Sequence, residues 1–182
     1  MSSNCMWHYR GQQRPDFADA PEPGQESVWD YPRPPALRPD ERLVEVFHGE
    51  HLLARTRGSV RILETASPPT FYLPPDDVHW DLLEHVAGSS FCEWKGAARY
   101  YALAGSLTPA GDPLAGHPVG WCYPDPTPAF ATIAGWPSFY PGRVSCRVDG
   151  EAVQPQPGGF YGGWLTNEIV GPVKGTPGTG HW

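Results

Sequence analysis

The chain predicts a mainly β domain with one short helix and extended segments at its N- and C-terminal ends. Three observations carry this. Short, often β-branched runs follow one another with turn residues between them, the pattern of strands. The 182 residues hold 21 Gly and 23 Pro, roughly a quarter of the chain, which is a turn-rich composition. They also hold 8 Trp, 8 Tyr and 7 Phe. Disordered chains are poor in such rings, because they cannot bury enough apolar surface to offset chain entropy. The length suits one domain with a real core and is cramped for two.

Residues 1–41 read as a polar, proline-rich arm. Ser27 to Pro35 is extended, because proline holds its own residue and its predecessor out of the helical region. Trp29 and Tyr31 lie two apart, face one way and anchor the arm. Leu43 to Phe47 is a strand, His48-Gly49-Glu50 a turn and His51 to Thr56 its return, a hairpin. Ser59 to Glu64 places Val60 and Ile62 on one face, Arg61 and Leu63 on the other. Thr65 to Pro69 turns the chain, and Thr70 to Leu73 is a strand stopped by Pro74-Pro75. Asp76 or Asp77 then caps the short helix, with Val78, Leu82 and His85 on one side.

Ser89 to Cys92 and Ala97 to Ala104 are strands around a Trp94-Lys95-Gly96 turn. Gly105 to Pro118 is a loop, Val119 to Tyr123 a strand, and Pro128 to Ile133 a helical turn. Arg143 to Val148 alternates with Val144, Cys146 and Val148 inward. Asp149-Gly150 is a hairpin signal with Glu151 to Gln154 returning. The domain therefore spans residues 42–154. Residues 155–182 form a Gly-, Pro- and Trp-rich tail packed on it, with Phe160, Tyr161 and Trp164 as its contacts. Tail and arm rings are expected to wall a pocket.

The net charge is −7 and no basic run exists, which opposes nonspecific nucleic-acid binding. No apolar stretch approaches the roughly 18 residues of a membrane span. Met1 to His8 lacks an apolar signal core. The expectation is a cytoplasmic protein without nucleic-acid or membrane partners. Its wealth of Arg, Ala, Pro and Gly suggests a GC-rich bacterial genome. Cys5, Cys92, Cys122 and Cys146 form no C-x-x-C pair, the usual half of a zinc site, so no metal and no cofactor are expected. Each reads instead as a small buried hydrophobe or free thiol.

Several motifs follow in a fixed order: Glu64, Phe71-Tyr72-Leu73-Pro74, Asp77-Val78 and Cys92-Glu93-Trp94-Lys95-Gly96 with Tyr100-Tyr101. Trp121-Cys122-Tyr123-Pro124-Asp125-Pro126 and Phe139-Tyr140-Pro141 complete the series. Over residues 42–153 the chain resembles the DUF427 family, a bacterial and fungal group named for having no assigned function. The flanks, Val28 to Pro32 and Gly163 to Pro172, look like extensions carried by one branch. The resemblance implies a β-tent, two antiparallel sheets leaning together as in the Mss4-like group. Many tents hold zinc between two C-x-x-C pairs. This chain lacks them, so the metal is not carried over. Related tents use the space between their sheets as a small-ligand pocket.

Lys95 is one of only two lysines, against eleven arginines. Withdrawn from water it acts as base or nucleophile, and if charged it binds a carboxylate or phosphate. Its structural alternative is a surface turn lysine. Glu64 ends a strand and, paired with Lys95 or Arg57, orients a ligand or moves protons; its alternative is a solvated strand end. Cys92, beside Lys95, is the third catalytic candidate, weighed against a packed thiol. Tyr72, Tyr100 and Tyr123 each offer a ring and a hydroxyl handle. Together with Arg57 and Trp121 they are the ligand-binding candidates, weighed against simple packing. Asp77 reads as the cap and His79 as solvent-facing. No Ser-His-Asp order, H-E-x-x-H, Walker loop or G-x-G-x-x-G occurs. Two functions follow. One is a domain that binds a small molecule through rings and a Lys/Glu pair. The other is an enzyme using Lys95 and Glu64 on a polar metabolite. Either leaves the oligomeric state open.

Overall fold

The computed structural model describes residues 7–182; Cys5 lies outside the described residues. Val44–His48 pairs antiparallel with His51–Thr56, His48 opposite His51. Gly49 between them takes a φ of 56°, open to glycine because it lacks a Cβ. Ser145–Val148 joins the other edge of Val44–His48, and Glu151–Ala152 completes a four-stranded antiparallel sheet. Asp149 and Gly150 make that last turn with φ of 47° and 82°. Two successive positive φ values match the twist of the flanking strands. Val44, Val46, Cys146 and Val148 are buried on the inner face.

A second four-stranded antiparallel sheet runs Ser138–Phe139, Gly120–Cys122, Arg99–Leu103, Leu83–Val86 in spatial order. A third sets Ser59–Leu63 between Ala36–Asp40 and Thr70–Tyr72. Ala36–Asp40 falls within the residues read as arm, and its Pro39 sits where proline is tolerated, on an edge strand. Every residue of Ser59–Leu63 is buried. Arg61 is accommodated there because Glu26 and Asp40 each bring a carboxylate oxygen to 3.0 Å. The fold is mainly β with open antiparallel sheets and short 3-10 turns. One parallel ribbon, Glu26–Ser27 on Ile169–Val170, ties the N-terminal segment to the C-terminal one.

The core has three parts. The largest gathers Val46, Leu53, Phe71, Leu103, Phe139 and Trp164. The second holds Ile62, Tyr72, Trp121, Tyr123, Phe130 and Ile133. The third packs Val28, Trp29 and Tyr31 on Leu63 and Ile169. Among the described residues no helix is long and apolar enough to cross a membrane.

The expected helix after Asp77 is not formed. Pro75–Asp77 and Trp80–Leu82 are single 3-10 turns, and neither has a side-chain cap. Val78 between them is extended and bridges Ala54. Leu83–Val86 then pairs with Arg99–Leu103, leaving His85 exposed on the sheet. A segment this short barely nucleates a helix, so tertiary pairing overrides its weak propensity.

Candidate functional site

The second core cluster is where the three-stranded sheet meets the strands Arg99–Leu103 and Gly120–Cys122. Beside it opens a cavity of about 550 Å³, within the range of roughly 300–1,000 Å³ common for small-molecule sites. Glu64, Tyr72, Cys92, Lys95, Tyr100, Trp121 and Tyr123 all line it. Arg57 does not: it is exposed in the turn before Ser59. Arg57 is thus the one candidate that the fold does not bring to this cavity.

Lys95 sits in the turn between the ribbon strands Phe91–Cys92 and Gly96–Ala97. Gly96 takes a φ of 101° to make it. The turn is pinned from the next loop. Thr127 donates its backbone N–H to Lys95 O at 3.2 Å and its hydroxyl to Trp94 O at 2.6 Å. Lys95 is 7% exposed. Its Nζ stands 5.6 Å and 5.7 Å from the ring centroids of Tyr123 and Phe130. Burial alone pushes its pKa down, but Tyr72, Cys92 and Glu64 outweigh that and the net direction is up. The ammonium is held charged.

Glu64 is half-buried, and the expected ion pair with Lys95 or Arg57 is replaced by one with Arg33. Arg33 Nε lies 3.3 Å from Glu64 Oε1, without hydrogen-bond alignment. Arg33 itself is buried, donating to Tyr9 O and Thr65 O.

The phenols differ in their ties. Tyr72 is buried and its hydroxyl accepts from Trp121 Nε1 at 3.1 Å. Burial pushes the Tyr72 and Tyr123 pKa values up. Tyr100 and Ser90 share a hydroxyl hydrogen bond of 2.6 Å. Tyr140 packs on Trp121 with centroids 4.5 Å apart, and burial pushes its pKa up to about 12. Tyr72, Tyr123 and Tyr140 are therefore neutral at neutral pH. Trp94 also lines the cavity, and its buried indole N–H has no acceptor among the described residues.

Several lining residues were not singled out by sequence. Trp7 arrives from the N-terminal segment, donating to Glu93 at 3.0 Å. Arg143 donates to Pro118 O and lies 4.4 Å from the Tyr140 centroid. Lys174 comes from the tail. Lysine scarcity was the signal that marks Lys174. Of the rings expected to wall the pocket, Phe160 and Tyr161 do so. Trp164 belongs to the main core, and Trp29 and Tyr31 to the third cluster.

Cys122 lies outside the cavity lining, with Tyr101 Oη 3.3 Å from its sulfur. Cys146 is buried in the main core. Among the described residues no three His, Cys, Asp or Glu side chains cluster as a metal site. Residues 36–153 match the model of a family described as Domain of unknown function (DUF427). No curated protein matches the chain.

Proposed function

The chain belongs to the DUF427 family, whose description assigns no activity, and we propose that it binds a small, planar, anionic molecule in the cavity at the Lys95 turn. One observation carries this. Lys95 presents an ammonium that is 7% exposed and has no ion pair among the described residues, in a cavity walled by aromatic rings. Taking a cation out of water costs several kcal/mol unless an opposite charge meets it. Tyr72, Cys92 and Glu64 keep the ammonium charged without an ion pair to it among the described residues, so its charge is open to an anion. A ligand carboxylate or phosphate is the counter-charge that fits it.

Other lining groups fit the same ligand. The Trp94 N–H wants an acceptor. Trp121, Tyr123 and Tyr140 offer ring surface to a planar molecule. Binding is favoured over acid–base chemistry by Lys95 and Glu64. The lysine is held charged, which suits an anchor better than a nucleophile. Glu64 is engaged by Arg33.

Native mass spectrometry of the freshly purified protein tests the proposal. The expected spectrum shows a small-molecule adduct at one per chain, lost in Lys95→Met. A bare chain whose thermal unfolding no aromatic acid raises would contradict it.

A further inference from the structure

Among the described residues three large apolar side chains are exposed: Phe17, Phe91 and Phe160. Single apolar rings on a surface are ordinary. Two of these three are not scattered. Phe91, 78% exposed, and Phe160, 75% exposed, both line the cavity at the Lys95 turn. A ring that belongs to the lining and still stands in water marks the mouth.

Each ring is presented by a segment fixed at its base. Phe91 opens the ribbon opposite Ala97, and Cys92 follows opposite Gly96. Lys95 lies in the turn of the same ribbon. The backbone from Phe91 to Lys95 spans at most about 14 Å when fully extended, and here it folds back. Phe160 sits in a loop closed by Gln156 and Gly163. The Gln156 N–H donates to Gly163 O and the Gly163 N–H to Gln156 Oε1, both at 3.1 Å. The Gln156 side-chain amide also donates to Lys174 O at 2.7 Å. Phe160 meets Tyr161 edge-on with centroids 5.0 Å apart, and Gly162 lies against the Trp121 ring that lines the cavity.

We infer that Phe91 and Phe160 form a second, apolar subsite, and that the ligand is an anion carrying a further ring or other apolar group that projects from the cavity and packs on them. The inference rests on the ligand-binding reading above, with the anionic group at Lys95. Neither phenyl ring has a polar group to hold the anion, so the two rings discriminate by the length of the ligand. An acid confined to the inner cavity leaves both in water. An acid with one more ring removes apolar surface of both partners from water and gains ring–ring contact. One ribbon then serves both halves of the ligand, with the ammonium at its turn and an apolar contact at its open end.

The test is titration calorimetry of the full chain with 2-naphthoate and with 6-phenyl-2-naphthoate, which share the anion and the inner ring system. The longer acid should bind about tenfold or more tightly. The double variant Phe91→Ala, Phe160→Ala should lose that advantage while its Kd for 2-naphthoate stays within about twofold, since both side chains are exposed. If the double variant fails to fold, Phe160→Ala alone decides, and it should cost the longer acid about threefold. A longer acid without advantage in the unmodified chain, an advantage that the variants keep, or a loss that falls equally on both acids overturns the subsite and leaves the anion site standing. Binding of neither acid to the unmodified chain overturns both.

Discussion

Single residues set the shape and charge of the cavity. At Gly162 the tail presses against the Trp121 indole, and a methyl group at this position would overlap the ring. Trp121 in turn holds the Tyr72 hydroxyl. Gly162→Ala should therefore displace the tail or the ring, destabilising by about 1–3 kcal/mol as overpacking does. Chemical denaturation checks this, and an unchanged midpoint would mean that the tail yields freely. Trp164 is the larger test of packing. It is fully buried, stacks on Phe71 with centroids 4.8 Å apart and donates its N–H to Phe139 O at 2.9 Å. Trp164→Ala should cost about 3–5 kcal/mol. For a chain of this size that lowers Tm by roughly 10 °C, read by calorimetry.

At the scale of elements, the strands were legible wherever local chemistry and pairing agree. His48-Gly49-Glu50 and Asp149-Gly150 are turns in both sequence and structure, because the positive φ they need is written in Gly and Asp. Val144, Cys146 and Val148 alternate inward as their period predicts. The segment after Asp77 was misread because its Val78–Leu82–His85 spacing fits one helical face, while its partner strand at Arg99–Leu103 lies too far along the chain to enter a local pattern. The Lys95 turn and three phenols of the site, Tyr72, Tyr100 and Tyr123, were visible as unusual residues. Lys174, Arg143 and Trp7 were not weighed, since only tertiary folding brings the termini to the turn. Arg33 as the partner of Glu64 was hidden for the same reason. One ion-pair network spans these elements. Glu26 takes Arg61 at 3.0 Å, Arg38 at 3.5 Å and the Tyr31 hydroxyl at 2.6 Å, and Asp40 takes Arg42 at 2.6 Å. Burial raises both carboxyl pKa values, and these partners outweigh it, so both end below their ordinary values. The unfolded chain therefore takes up protons first as pH falls. The network's contribution is complete above the ordinary carboxylate range and is lost in acid, below about pH 4.5. Glu26→Gln should lower Tm at neutral pH, with the gap to the unmodified chain closing toward pH 3. A gap that stays constant with pH would exclude this linkage.

At the scale of the molecule, the family-matched residues 36–153 supply the sheets, and the flanking segments supply part of the cavity. Trp7 comes from one flank, and Phe160, Tyr161 and Lys174 from the other. The parallel ribbon Glu26–Ser27 on Ile169–Val170 clamps the two together. Removing residues 159–182 takes away Trp164 as well as the cavity wall. It should lower Tm by at least as much as Trp164→Ala and abolish ligand binding; a truncated chain that binds as tightly as the full one would show that the flank is no part of the site. The central claim is that a buried ammonium at Lys95 selects an anionic planar ligand. Isothermal titration with 2-naphthoate and with its uncharged amide, which share one ring system, tests it most directly. The account predicts that the acid binds at least about tenfold more tightly, a difference of about 1.4 kcal/mol, and that Lys95→Met erases the preference. Equal affinity for acid and amide, or a preference that survives Lys95→Met, would contradict it.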